Sequence, residues 1–366
     1  MPKKLKNSFP VCFLSHNEIL FFHKGLFKTY DITNENTLNI IKLKLTLFEN
    51  LLAHVPILSR IFRFGIRCGI KVSNDLVLFY KGSKIYELDL KLKSISSGFS
   101  TKDSSRPLAF TQIEKLKGFD DSVYFGGYLE NPDRKPVSVF KRICTDHWDE
   151  VYRFPKGEIE HIHNIIPDPY KNLVYILTGD FNKSAGIWVT KNNFETVEPI
   201  LSGDQIFRAC TGVATLEGLL YATDSPFSKN SIRLLSYSND KWDSMKICNI
   251  NGPSIYGCQW NDDIVFSTSV ESDGARYPTI WYKLFGFKRG SGIDENYCCI
   301  YKGNNEKGFK EIYRVKKDWF PFFLFQFGVL IFPSGLNCSS YLPIYHVATN
   351  RNNLTTSFIQ ENQLLT

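Results

Sequence analysis

No run of apolar residues in this sequence is long enough to span a bilayer. The longest, Trp319 to Pro333, is interrupted by Pro321, Gln326 and Gly328. The opening Met1-Pro2-Lys3-Lys4-Leu5-Lys6 is basic but has neither an apolar core nor a small-residue cleavage site, so it does not read as a signal peptide. No CxxC occurs, and the nine cysteines include a single close pair, Cys298-Cys299. An odd count without framework spacing predicts free thiols in a reducing compartment, and so a cytoplasmic protein. P-loop, GxGxxG, GxSxG and HExxH motifs are all missing, which removes support for nucleotide, dinucleotide, serine-hydrolase and zincin chemistry. There is also no block of Arg and Lys of the nucleic-acid type, and no nucleic-acid partner is expected.

What the chain does contain is aromatic residues. Phe and Tyr number 30 and 18, aromatics make up 15%, and methionine occurs twice. That bias suits strands, whose pleated surface packs aromatic and β-branched side chains. A hydrophobic share of 43% against 22% charged residues is that of a folded globular protein rather than a disordered one. The net charge of +7 over 366 residues is mild and fits an anionic partner such as an acidic glycan or a membrane surface.

A strand pair recurs every 45 to 55 residues or so along the sequence. Its first members are Ile19–Phe22, Leu76–Tyr80, Val123–Gly126, Val174–Leu177, Leu220–Thr223, Ile264–Ser267 and Val329–Phe332. Their partners are Leu26–Tyr30, Lys84–Leu88, Val137–Lys141, Gly186–Thr190, Ser231–Leu235, Thr279–Lys283 and Pro343–Val347. Polar turns such as Asn74-Asp75 and Asp120-Asp121 precede several of the first strands, as the dihedral demands of tight turns require. Seven such units predict an all-β fold: one β-propeller domain over residues 1–366 with seven four-stranded blades, or six if an end unit is absorbed into a closing blade. Residues 39–67 break the pattern. Apolar positions from Ile40 to Phe62, interleaved with Lys42, Lys44, Arg60, Arg63 and Arg67, read as a basic amphipathic helical insertion that Pro56 kinks or splits. Such a helix can rest on an anionic membrane, which would place the protein at the periphery of the inner membrane.

Aligning the units gathers one set of loop ends at one mouth of the central channel: Arg106, Tyr128, His161, His163, Asp180, Gln205, Arg208, Asp224, Tyr256 and Glu271. Arg106 and Arg208, with His161, Gln205 and Tyr256, are candidate substrate-binding groups, because a guanidinium fork binds carboxylate in bidentate fashion. Asp180, Asp224 and Glu271 could divide acid and base roles in glycoside hydrolysis. Alternatively, His163 as base and Tyr128 as proton donor would suit β-elimination from a uronate. No cofactor is required by either chemistry, although His161 and His163 could hold a divalent metal together with Gln205 or Asp180.

His161-Ile162-His163, Asp168-Pro169-Tyr170, Thr178-Gly179-Asp180, Gln205 through Ala209 and Thr223-Asp224-Ser225-Pro226 together resemble the BNR/Asp-box propellers of the sialidase-like superfamily. The likeness runs from about residue 60 to 335. It implies a propeller acting on an acidic oligosaccharide or polysaccharide of the bacterial surface or capsule, with a non-catalytic glycan-binding or scaffold propeller as the alternative. The Asp-box itself is eroded: Thr190 through Val197 has Asn192 for Asp, Phe194 for Gly and Val197 for Trp, and Thr145-Asp146-His147-Trp148 is a second partial copy. Where relatives carry Gly-Glu-Tyr this chain has Gly126-Gly127-Tyr128, and two of a sialidase's three arginines can be placed, at Arg106 and Arg208.

Overall fold

The computed structural model describes residues 2–101, 103, 105–273 and 279–361. Its strands form seven four-stranded antiparallel sheets arranged in a ring, a seven-bladed β-propeller. Blade 1 comprises Ser8–Phe13, Glu18–His23, Leu26–Asp31 and Asn36–Lys42. The first strands of blades 2 to 6 are Ile66–Lys71, Thr111–Ile113, His161–Asp168, Ala209–Ala214 and Tyr256–Trp260. Blade 7 consists of Val329–Ile331, Tyr341–Val347 and Thr355–Gln360, completed by Leu5–Lys6 from the other end of the chain. Leu5 pairs with Thr356 and Lys6 with Thr355, so the ring is closed by hydrogen bonds between the two chain ends.

The second strands read as unbroken apolar runs because both of their faces are covered. In Leu219–Thr223, Leu219 and Tyr221 face blade 4, packing with Tyr175 and Ile187, while Leu220 and Ala222 face blade 6 with Phe266 and Cys299. The same alternation fills the other spaces between blades with a separate apolar cluster, including the one between blades 7 and 1, where Phe358 meets Phe21 and Tyr30. Each fully buried ring or branched side chain contributes about 1.5–3 kcal/mol. The core is therefore a set of seven layers radiating from the axis.

Two expectations need correction. The segment Val329–Phe332 was expected to be a second strand, but Val329–Ile331 is the first strand of blade 7 and Tyr341–Val347 the second, because the chain start supplies the fourth. Thr279–Lys283 was expected to be a strand. Instead Ile280–Phe285 is helical, capped by Thr279, whose side chain accepts from the Tyr282 amide, and the third strand of blade 6 is Tyr297–Asn304. The insertion at 39–67 is also shorter than expected. Its ends belong to strands Asn36–Lys42 and Ile66–Lys71, and two helices lie between them, α1 (Leu47–His54) and α2 (Pro56–Ile61). Pro56 at the first position of α2 splits the two, and a Thr46–Glu49 capping box starts α1. Below, α3 denotes Ile280–Phe285 and α4 Phe322–Phe325.

Candidate functional site

Four of the first strands carry a β-bulge near their start. In blades 1, 2, 4 and 5 the register skips Val11, Arg67, His163 and Cys210 in turn. A bulge leaves one residue unpaired and re-aims its side chain. In three of these blades the re-aimed side chain, Arg67, His163 or Cys210, lines an axial cavity of about 300 Å³.

Of the ten residues expected at this mouth, eight line that cavity: Arg106, Tyr128, His163, Asp180, Arg208, Asp224, Tyr256 and Glu271. The other two stand directly behind it. His161 Nε2 lies 3.0 Å from His163 Nε2, and the Gln205 amide donates to the Asp180 carbonyl at 2.9 Å. Gln205 occupies a single 3₁₀ turn, Gln205–Phe207, rather than the head of a strand. Sequence reasoning missed Arg63 and Arg67, assigning both to the amphipathic insertion, yet both line the cavity. Arg67 is the second residue of the first strand of blade 2, turned into the cavity by the bulge.

The floor of the cavity is a compact polar cluster. Asp180 Oδ1 is 3.3 Å from His161 Nε2, 3.2 Å from His163 Nε2 and 3.1 Å from an Arg208 terminal nitrogen. Arg208 Nε is 3.4 Å from Asp224 Oδ2, which also accepts from the Cys210 thiol at 3.2 Å. Ser269 donates to Glu271 at 2.6 Å. The histidine tautomers follow from their outer contacts. His161 Nδ1 is 3.0 Å from the Leu129 carbonyl and His163 Nδ1 is 2.9 Å from the Ala209 carbonyl. A carbonyl accepts only, so each Nδ1 carries the proton and each Nε2 presents a lone pair inward.

This geometry sorts the carboxyl groups by charge. Burial opposes ionisation of Asp180, but the charge of Arg208 outweighs it and holds the carboxyl well below its usual range. Burial pushes Asp224 well above that range, and repulsion from Glu271 and Asp180 adds to the effect. Burial likewise raises Glu271. His163 is kept neutral by burial, with His161 and Arg208 opposing its protonation as well. Burial and the nearby carboxylates push Tyr128 up, and Tyr256 is pushed up to about 12, chiefly by burial.

Over this floor stand Arg63, Arg67 and Arg106. None of the three makes an ion pair among the described residues, and Arg106 stacks on the Tyr128 ring at 5.3 Å. Desolvation at the cavity and mutual repulsion lower the guanidinium pKa of Arg63 and of Arg67. Unpaired guanidiniums crowded at one opening form a site for an oxyanion.

Among the described residues, two sets of side chains could ligate a divalent metal: His161, His163 and Asp180, and His163, Cys210 and Asp224. Arg208 on both carboxylates supplies competing positive charge. Elsewhere, residues 190–197 in blade 4 form a turn. The Asn192 side chain accepts from the Thr196 amide at 3.1 Å, and Phe194, with φ of 67°, plugs the core between blades 3 and 4. At Gly127, a Cβ would lie 2.9 Å from Ser105 Oγ, which leaves little room for a larger side chain.

No protein-family model matches the chain, and no curated protein matches it. Similar solved structures include the β-propeller domain of Cps50 (Swd1) from Myceliophteria thermophila. It is 8% identical, with 98% of this chain and 99% of that one covered and a TM-score of 0.55. Hydrazine synthase from Kuenenia stuttgartiensis is 8% identical over 98% of this chain and 97% of that one, with a TM-score of 0.49. The calcium-binding protein regucalcin from Agrobacterium tumefaciens is 10% identical over 73% and 83%, with a TM-score of 0.44. At these identities the likeness extends to the propeller fold alone.

Proposed function

We propose that the axial cavity binds the acidic group of a surface or capsular glycan, or of an intermediate in its assembly, and that the protein hydrolyses the adjoining glycosidic bond. One observation carries this reading: three unpaired arginines stand over carboxyl groups whose environments drive their ionisation apart. Arg63, Arg67 and Arg106 hold the substrate's carboxylate. Asp224, raised by burial, keeps its proton and donates it to the leaving oxygen. Glu271, whose charged form Ser269 and Arg208 support against burial, activates the attacking water. Asp180 stays ionised and anchors Arg208. Tyr128, kept protonated, donates a hydrogen bond to a sugar hydroxyl.

The geometry favours hydrolysis over elimination for a specific reason. His163 Nε2, the expected base, is already contacted by His161 and Asp180, and Nδ1 is committed to the Ala209 carbonyl. The remaining lone pair of that ring points at His161 and Asp180 rather than at the open cavity. The resemblance to Asp-box propellers agrees with a glycan substrate but adds no residue-level support.

The test is to incubate the purified protein with uronate- and sialate-containing glycans, following reducing ends and the ultraviolet absorbance of unsaturated uronates together. New reducing ends without absorbance, lost in Asp224→Asn, support the proposal. Absorbance would mean elimination. Calorimetric binding with no product from any glycan would make the protein a glycan-binding propeller.

A further inference from the structure

Three insertions that belong to no blade come together beside the cavity: 43–65 with α1 and α2, 279–291 with α3, and 317–328 with α4. Arg60 in α2 forms a buried ion pair with Asp318 at 2.7 Å, and the Gln326 side chain donates to the Arg60 carbonyl at 2.7 Å. The Phe322 amide donates to the Gly286 carbonyl at 3.2 Å, and the Tyr282 and Phe323 rings meet at 5.7 Å. The insertions therefore form one continuous surface.

That surface is apolar and uncovered. Leu47 is 93% exposed, Trp319 76%, Trp281 69%, Ile280 65% and Phe285 60%, with Phe48, Phe62 and Phe287 each exposed by more than half. The other tryptophans are covered by the blades; the two on this face are not. Monomeric soluble proteins seldom leave so much clustered aromatic surface bare. Its charge is one-sided. Lys44, Lys283 and Arg289 are exposed around the rings, beside Lys288, which pairs with Asp273, and Arg63 and Arg67 at the cavity mouth, whereas Glu49 and Asp318, the acids of these segments, are already paired with Lys81 and Arg60. Two copies meeting through this face about a two-fold axis would set like charges against like.

We propose that this face docks on an anionic lipid bilayer, with Trp281, Trp319, Phe285 and Leu47 entering the headgroup region and the ring of cations meeting lipid phosphates. Tryptophan has an apolar body and a polar N–H, which suits it to that boundary, and basic residues flanking an apolar face are what an anionic leaflet attracts. The surface exceeds the expected helix over 39–67, since three of its four anchors come from 279–287 and Trp319. Ser59, Arg63 and Phe64 on one side and Gln326 and Phe327 on the other also line the cavity, so the docked protein would open its cavity toward the membrane surface. If the hydrolase reading above holds, its substrate is an acidic glycan carried on that membrane; the docking itself does not rest on that reading.

The experiment is flotation of the full chain with vesicles of phosphatidylcholine alone and of phosphatidylcholine mixed equally with phosphatidylglycerol. Binding to the mixed vesicles is expected, weakened by salt, and weakened about fivefold by Lys283→Glu. Trp281→Glu/Trp319→Glu should abolish flotation while leaving the thermal melting midpoint unchanged, which shows that the blades are intact. Light scattering on the same samples tests self-association. Failure of the wild type to float overturns the proposal, as does equal flotation of the double variant, or a dimer that this variant dissociates in place of vesicle binding. The readout needs no substrate, so docking and the hydrolase reading can fail separately.

Discussion

Gly179 shows how tightly the floor of the cavity is built. A Cβ added there would sit 2.1 Å from His163 Cε1, so Gly179→Ala must move the imidazole. We expect a loss of about 1–3 kcal/mol in urea unfolding, the usual range for overpacking, and most of that cost should vanish in a His163→Ala background. The buried carboxyl groups give a pH signature. Asp224 and Glu271 have raised folded values, so the stability they contribute is present in acid and is lost as pH rises from the ordinary carboxylate value of about 4 through their folded values. Asp180 and His163 act in the opposite sense. Asp180's contribution is lost as pH falls through its depressed folded value, and His163 favours unfolding as pH falls through about 6.5, where the unfolded ring takes up a proton. Thus Asp224→Asn/Glu271→Gln should raise the melting midpoint more at pH 8 than at pH 5 in scanning fluorimetry; an equal shift at both would contradict the assignment. The three inward acceptors of His161, His163 and Asp180 need either a proton or a cation among them. Arg208 already balances Asp180, and a second positive centre of double charge would meet a desolvated guanidinium. We therefore expect EDTA dialysis to leave the melting midpoint unchanged. A drop restored by zinc or manganese would identify a metal there.

At the scale of elements, the strand pairs were legible because burial on both faces leaves a plain apolar run with a turn at each end. Leu76–Lys81 and Leu173–Gly179 are examples. What misled was composition read without context: Ile280-Trp281-Tyr282 has strand-like residues, but Thr279 caps the segment and the blade resumes only at Tyr297. The phase of blade 7 was hidden for another reason, since its fourth strand comes from the start of the chain. The site was legible at strand heads in repeat register, as at Tyr256 or at His161 with His163 beside it, but the bulge-aimed Arg67 and Cys210 were missed. A skipped residue leaves no mark on a sequence, which is why Arg67 passed for a helical cation. The ion pair of Arg60 and Asp318 is the element-scale test. Both side chains are buried, 3% and 7% exposed, and removing Arg60 leaves Asp318 with Lys317 as its one cation. Arg60→Ala should cost about 1–3 kcal/mol. It should also make the segments 43–65 and 317–328 cleave early in limited proteolysis, while Arg60→Met, which restores the packing, should recover part of that loss.

For the whole molecule, the decisive features are the ring and the field at its mouth. Seven apolar layers couple every blade to two neighbours, so unfolding should be one cooperative transition despite the length of the chain, with matching midpoints by fluorescence and circular dichroism. The unpaired arginines predict binding that depends on charge. Arg67→Ala and Arg106→Ala should each weaken an acidic oligosaccharide roughly tenfold to a hundredfold, since hydrogen bonds to charged groups contribute about 1.5–3 kcal/mol. Binding should also weaken as salt rises, because charges at an open mouth are screened over about 10 Å at 0.1 M ionic strength. A neutral analogue of the same sugar should show neither effect.

Lys6 pairs with Thr355, nearly 350 positions later in the chain, and that bond has a history as well as a strength. A ribosome adding 5–20 residues per second makes the first strand wait roughly 20 to 70 seconds for its partner. Throughout that interval blade 1 has no neighbour on one side, so the apolar face that Phe21 and Tyr30 later bury against Phe358 lies open to every other nascent chain in the cell. Blade 7 thus decides whether blade 1 was folded or lost, and the yield of this protein in a cell should follow the supply of chaperone during translation more closely than it follows the stability of the finished ring.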